Sequence, residues 1–260
     1  MNTFRTATAF MLATSLYLVS CKKENDEPQT VNEGTQNETN DDVFELAIRR
    51  LNPGQNIADF VAARDAFVAE LMARPGTSND REFQPSFDLL ASGLPLDSIY
   101  IGMTQYADLN TFSTLGQQLI SIPEATTFFA TFVPITFEVL QPLPGYGPID
   151  LSTIAPLNSG RILEIAVRDI SAYSNFDTTD YVTKRDSFLT LLAQQPGFVQ
   201  EIQWRSVLNN NVVVGMTVYD SQAAALAIGM DPNFMWDPAV SEFLGAYPPT
   251  QFGALNTVLK

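Results

Sequence analysis

The strongest constraint on the fold is that this chain is written twice. Val43-Phe-Glu-Leu-Ala-Ile-Arg49 matches Ile162-Leu-Glu-Ile-Ala-Val-Arg168, with Glu45, Ala47 and Arg49 in register with Glu164, Ala166 and Arg168. Val61, Arg64, Asp65, Phe67, Leu71, Pro75 and Gly76 recur as Val182, Arg185, Asp186, Phe188, Leu192, Pro196 and Gly197. Gly102-Met103-Thr104 with Tyr106 recurs as Gly215-Met216-Thr217 with Tyr219, and each half closes on a Val-Leu pair. The blocks keep their order, and their offset drifts only between them, where loops absorb insertions. Residues 43–141 and 162–260 therefore read as two copies of one unit. Residues 142–161 carry four prolines and three glycines and read as the linker between them.

Within each unit the periods are legible. Phe44, Leu46 and Ile48 alternate with Glu45, Ala47 and Arg49, the two-residue period of a strand. Apolar residues from Phe60 to Met72 then fall at helical spacing and stop at Arg74-Pro75-Gly76. Second strands are expected at 82–89 and 199–208, and third strands at 99–106 and 212–219. Helical segments are expected at 109–119 with 124–132 and at 222–230 with 238–246, before final strands at 135–140 and 253–259. The fold class is α+β: a βαββαβ order, the ferredoxin-like split motif, given twice.

A strand ending in Arg, a helix ending in Pro-Gly, a Gly-bearing third strand, a broken helical stretch and a short last strand resemble the dimeric α+β barrel superfamily, in its antibiotic-biosynthesis-monooxygenase-like branch. The resemblance covers about residues 43–260. It implies that the two halves put their sheets together as an intramolecular barrel, where the family uses two subunits. The chain is then a monomer with an internal pseudo-dimer.

If Leu46 and Ile48 face the helices, Glu45, Arg49, Glu164 and Arg168 point into one lumen, as candidate acid, base and charge-stabilising residues. The structural alternative pairs Glu45 with Arg49 and Glu164 with Arg168. Arg64 and Arg185 fall on the sheet-facing stripe of their helices, where each buries its stem and reaches a carboxylate such as Asp65 or Asp186. Tyr100, Tyr106, Tyr219, Trp204 and Trp236, with Phe128, Phe129, Phe132 and Phe234, are candidates either for plain core or for lining an apolar pocket between sheet and helices. The resemblance implies that such a pocket holds the substrate.

Residues 1–20 hold one basic residue, Arg5, and an apolar run from Ala9 to Val19, the length of a signal-peptide core and too short to span a bilayer. The run ends at Leu18-Val19-Ser20-Cys21, which resembles the bacterial lipobox, so Cys21 is the expected lipidation site, palmitate included. Residues 21–42 carry seven acidic and no aromatic residues and read as a disordered tether. Its root-mean-square reach is about 25 Å. The partner expected from this segment is a membrane, reached through lipid on Cys21. The expected place is the cell envelope, at the outer membrane or cell surface rather than the inner membrane.

Composition then removes function classes. With 14 Lys and Arg against 29 Asp and Glu the formal charge is −15, which repels nucleic acid. There is no histidine, and Cys21 is the only cysteine. Ser-His-Asp and Cys-His nucleophiles, thiolate or imidazole zinc sites, disulfides and histidine-ligated haem are therefore absent. No cofactor or metal is expected. The first functional expectation is a non-catalytic small-molecule-binding or envelope-associated module. A cofactor-independent monooxygenase-like or isomerase-like enzyme for a small apolar or phenolic substrate is the alternative, and a scaffold pairing through an exposed sheet edge is a third.

Overall fold

A computed structural model describes residues 41–93 and 95–260. The signal segment, Cys21 and nearly all of the tether lie outside the described residues. Each half runs in the same order. The first contains β1 (Val43–Leu51), α1 (Ile57–Met72), β2 (Thr77–Asp88), β3 (Ile99–Tyr106), α2 (Leu109–Leu119), α3 (Pro123–Phe129) and β4 (Phe132–Pro142). A short α4 (Leu151–Ile154) precedes the second half. That half contains β5 (Ile162–Asp169), α5 (Thr178–Leu192), β6 (Phe198–Ser206), β7 (Val212–Tyr219), α6 (Gln222–Met230), α7 (Pro232–Met235), α8 (Pro238–Ala246) and β8 (Phe252–Val258).

Local chemistry sets the element ends. Asn56 caps α1 by accepting from Ala58 N at 2.8 Å, and Asp177 caps α5 by accepting from Asp180 N at 2.8 Å. Gly76 and Gly197 follow the two long helices with φ of 89° and 87°, a left-handed turn that a side chain would strain. The turn leads straight into the next strand. For that reason β2 begins at Thr77 and not at Glu82.

Among the described residues eight strands close into one antiparallel barrel in the order β1-β3-β2-β8-β5-β7-β6-β4. Closure joins the halves at two seams. Phe83–Asp88 of β2 pair with Ala254–Val258 of β8, and Leu140–Pro142 of β4 pair with Trp204–Ser206 of β6. A closed barrel has no free edge, so its strands offer no template for the edge-pairing scaffold.

The strand faces are the reverse of the expectation. Phe44, Leu46 and Ile48 pack with Ile101, Met103, Leu163, Ile165, Val167, Trp204, Val214 and Met216 in one cluster drawn from both halves, the barrel interior. An eight-stranded barrel is just wide enough to be filled by side chains, so its inward positions are mostly apolar; Gln105, Glu138, Ser206 and Asn256 are the buried polar residues opposite Phe44, Leu46, Leu140 and Leu163. Glu45, Ala47 and Arg49, and their counterparts in β5, face outward under the helices. The expected linker is also more than a tether: Ile149, Leu151, Ile154 and Ala155 are buried in the same cluster. Gln105 holds that segment by donating to Ile149 O at 2.9 Å and accepting from Leu151 N at 3.2 Å.

The two tryptophans part company. Trp204 is fully buried in the barrel, edge-on to Phe44 of the other half with ring centroids 4.8 Å apart, whereas Trp236 is 81% exposed beside α7. Trp204→Ala should cost about 3–5 kcal/mol in urea unfolding. Trp236→Ala should stay within about 0.5 kcal/mol of the parent.

Candidate functional site

Because the polar face of β1 points outward, its three residues become the floor of a cleft roofed by helices. Glu45, Ala47 and Arg49 lie beneath Phe67 and Leu71 of α1, Phe112 and Leu119 of α2, Phe128 and Phe129 of α3, and Phe132 and Phe137 of β4. The space enclosed is about 90 Å³. Ala47 is the small residue at mid-floor. Residues four apart on a strand are about 13 Å apart along it, so Glu45 and Arg49 mark opposite ends of the cleft and do not pair.

Each finds another partner. Glu45 accepts from the Tyr106 hydroxyl at 2.8 Å, and Glu164 accepts from Tyr219 at 2.9 Å. Burial raises the proton affinity of both carboxyls, against the lowering effect of the tyrosine hydrogen bond and of Arg49 or Arg168. Burial and the adjacent carboxylates hold both phenols far above their ordinary value, so they stay protonated donors.

Arg49 pairs instead with Glu82 at 2.7 Å, reaching across β3 over Gly102. A Cβ at residue 102 would collide with the Arg49 guanidinium, and one at residue 215 would crowd the Gln203 and Glu201 side chains, so both third strands carry glycine where polar groups cross them. Arg64, buried on α1, bonds Asp65 at 2.7 Å and lies 4.0 Å from the other Glu82 oxygen, while Arg185 bonds Asp186 at 2.6 Å. Glu82 is 2% exposed, and burial pushes its carboxyl up to about 7 even though both arginines pull it down. The ion pair and the raised value are consistent: desolvation of the carboxylate outweighs the attraction of the guanidinium groups.

Pairing register shows where the halves diverge. Asp80 lies opposite Thr104 and Glu82 opposite Gly102, as Glu201 lies opposite Thr217 and Gln203 opposite Gly215. Gln203 thus stands where the first half has Glu82, and among the described residues no close ion pair joins Arg168 to a carboxylate, although Glu164 and Glu201 lie near enough to feel its charge. Its Nε donates to the Tyr247 carbonyl at 2.8 Å, and its charge lies 5.3 Å from the Phe243 ring centroid. Glu201 accepts from Thr217 and Gln203, and burial pushes it up to about 7. Only about 20 Å³ remains in this second cleft, bounded by Glu164, Arg168, Arg185, Glu201 and Phe243.

The sequence-derived candidates are therefore spread over several places. Glu45, Arg49, Tyr106, Phe128, Phe129 and Phe132 meet in the first cleft, and Glu164 and Arg168 meet in the second. Tyr219 stands behind Glu164. Tyr100 packs on Phe60 at 4.6 Å, outside the cleft lining, and Phe234 lies in the second half's helix-side core. Trp204 is in the barrel and Trp236 at the surface. Sequence reasoning did not select Asp80, Glu82, Glu201 or Gln203. The usable signal was the strand-interior glycine, which marks a close approach by another group.

No protein-family model matches this chain, and no curated protein matches it in sequence. Solved structures do match in fold. An anthrone oxidase-like protein superposes with a TM-score of 0.58 at 11% identity, covering 85% of this chain and 93% of its own. A candidate chlorite dismutase gives a TM-score of 0.55 at 11% identity, covering 84% and 95%. A candidate monooxygenase from Lactobacillus acidophilus covers 84% and 93% at 10% identity, with a TM-score of 0.47. The fold is that of the dimeric α+β barrels.

Glu82 and Glu201 ionise near 4.5 when unfolded and near 7 when folded. The folded protein binds more protons at these two groups between those values, so their contribution to stability should be greatest at or below about pH 4.5. It should fall as pH rises to about 7 and level off beyond. Urea midpoints across that window should show the decline, and Glu201→Gln should make it shallower.

Proposed function

We propose that this protein is a lipid-anchored envelope module, built on a tandem ferredoxin-like repeat fused into an internal pseudo-dimer, whose N-terminal cleft binds a small apolar molecule. One contrast carries the reading. Two clefts with the same floor pattern, Glu-x-Ala-x-Arg, have different fillings: about 20 Å³ is left in the second and about 90 Å³ in the first. Protein interiors are packed closely enough that a gap of this kind is destabilising unless something occupies it. Its aromatic walls suit a flat apolar body, and Glu45, Tyr106 and Arg49 supply the few polar groups that orient a ligand. The space is below the roughly 150 Å³ that holds benzene in an engineered cavity. The occupant is therefore small, or extends out through the cleft mouth.

A second reading is favoured by Glu45 itself. A carboxyl with raised proton affinity, hydrogen-bonded to a protonated tyrosine at the end of an aromatic cleft, has the character of a general base. It would take a proton from a phenol or an activated carbon, as a cofactor-independent oxygenase or isomerase requires. The fold shared with an anthrone oxidase-like protein supports this at the level of architecture.

Organic extraction and mass spectrometry of the natively purified full chain should recover a small apolar compound. Ala47→Trp, which plugs the cleft floor, should carry none. Recovery of the same compound from both would place its site elsewhere and end the reading. If the compound is consumed with uptake of oxygen, Glu45→Gln should retain it but lose turnover. Cys21→Ser should move the protein from the detergent phase to the aqueous phase in phase partitioning; unchanged partitioning would remove the lipid anchor.

A further inference from the structure

We propose that the ligand of the N-terminal cleft presents a neutral carbonyl oxygen to Arg49 Nε, an inference that rests on reading this cleft as a binding site. The two halves hold the same arginine in two states of completion. Arg168, 4% exposed, donates from Nε to the carbonyl of Tyr247, the residue that caps α8. Arg49, 5% exposed, donates from Nη2 to Glu82 and lies 5.2 and 5.6 Å from the ring centroids of Phe128 and Phe132. Its Nε is buried with no acceptor. The residue in the place of Tyr247, capping α3, is Ala130, and its carbonyl is taken by Asn52 Nδ2 at 2.8 Å. The first half has turned that internal acceptor away, and Arg49 lines the cavity that remains.

A buried donor without an acceptor is destabilising, and native structures rarely leave one. The second half shows what answers it: one sp² oxygen next to an aromatic ring. A ligand that reproduces this places a carbonyl at Arg49 Nε and its apolar body along the phenylalanines. The neutral form fits better than a carboxylate. The guanidinium already holds Glu82, Glu45 and Asp80 are further carboxyls near it, and Asp65 engages Arg64, against Arg64 and Lys260 as further cations; burial raises the proton affinity of Glu45, Asp80 and Glu82 in spite of them. A new negative charge would enter a cluster already rich in carboxyls, whereas a ketone, quinone or aldehyde oxygen adds none.

Three ring-matched probes test this on the full chain: cyclopentanone, methylenecyclopentane, in which the oxygen becomes CH₂, and cyclopentanecarboxylate. Cyclopentanone should shift the Arg49 Nε–H resonance in the NMR spectrum, and methylenecyclopentane should not. The affinity ratio of ketone to alkene should fall about ten-fold in Arg49→Met/Glu82→Met, where the buried pair is removed as a unit. Arg49→Lys, which keeps the charge but lacks Nε, should show the same fall and guards against misfolding of the double variant. If both neutral probes bind with an unchanged ratio and a still resonance, the carbonyl assignment fails while the cleft reading stands. Tighter binding of cyclopentanecarboxylate than of cyclopentanone also overturns it, in favour of an anion. If no probe binds, the cleft reading fails with it.

Discussion

A barrel closed from eight strands has an interior that side chains fill, and this sets the place of the chemically capable groups of both clefts. The inward positions of β1, β3, β5 and β7 are taken mostly by Phe, Leu, Ile, Val and Met without exposure. Glu138, opposite Leu46 on the inner face, is buried and accepts from Ser206; most charged residues are left the outer face, where helices cover them. Burial there is still deep enough to raise the proton affinity of Glu45, Glu82, Glu164 and Glu201. The carboxyls and arginines of the two clefts thus occupy two thin layers between sheet and helix, one in each half, and Glu138 is a carboxyl enclosed by the barrel itself, where burial raises its proton affinity.

The cost of those layers is visible in how the charges are held. Arg49 and Glu82 lie 2.7 Å apart and almost wholly out of water, so neither is tolerable without the other. Their approach requires Gly102, since any side chain there would occupy the path of the guanidinium. One buried ion pair, one glycine and the aromatic roof are mutually dependent. Loss of any of them exposes a charge to an apolar wall, which ties the integrity of the cleft to the strand sequence below it.

Much of this was legible before any coordinates. The repeated blocks mark where strands and helices fall: the third strands and α2, α6 and α8 have the expected bounds, because a strong period and a cap coincide there. The face of β1 was not legible from its own alternation. Phe-Leu-Ile against Glu-Ala-Arg shows two unlike faces but does not say which one is enclosed, and an interior wide enough for a lumen would have reversed the answer. Partners of the charges were illegible for a related reason. Glu45 and Arg49 are neighbours in sequence and far apart on a strand, whereas Glu82 reaches Arg49 only through the register of β2 on β3. Trp204 and Trp236 were indistinguishable as aromatics; only the seam between β4 and β6 shows that one belongs to the barrel.

The seams also explain how two similar halves can come to differ. Leu259 N donates to Glu82 O at 2.7 Å and Glu82 N donates to Lys260 O at 2.9 Å, so the segment after β8 clamps the strand that carries the first cleft's carboxylate. At the other seam Leu143 N donates to Gln203 O at 2.8 Å, and the residue after it is Pro144, which has neither an N–H nor a charge. Lys260 reaches Asp65 at 2.8 Å, and Asp65 holds Arg64 beside Glu82. An exposed pair such as Lys260–Asp65 contributes little stability by itself. Its effect is to fix where Asp65 points, and so where Arg64 lies above Glu82. The second half thus completes the charge layer of the first through a seam. In a dimer of identical subunits both seams would have to change together. A single chain is free to keep Glu82 and Lys260 at one and place Gln203 and Pro144 at the other, leaving one cleft open while the other is packed shut.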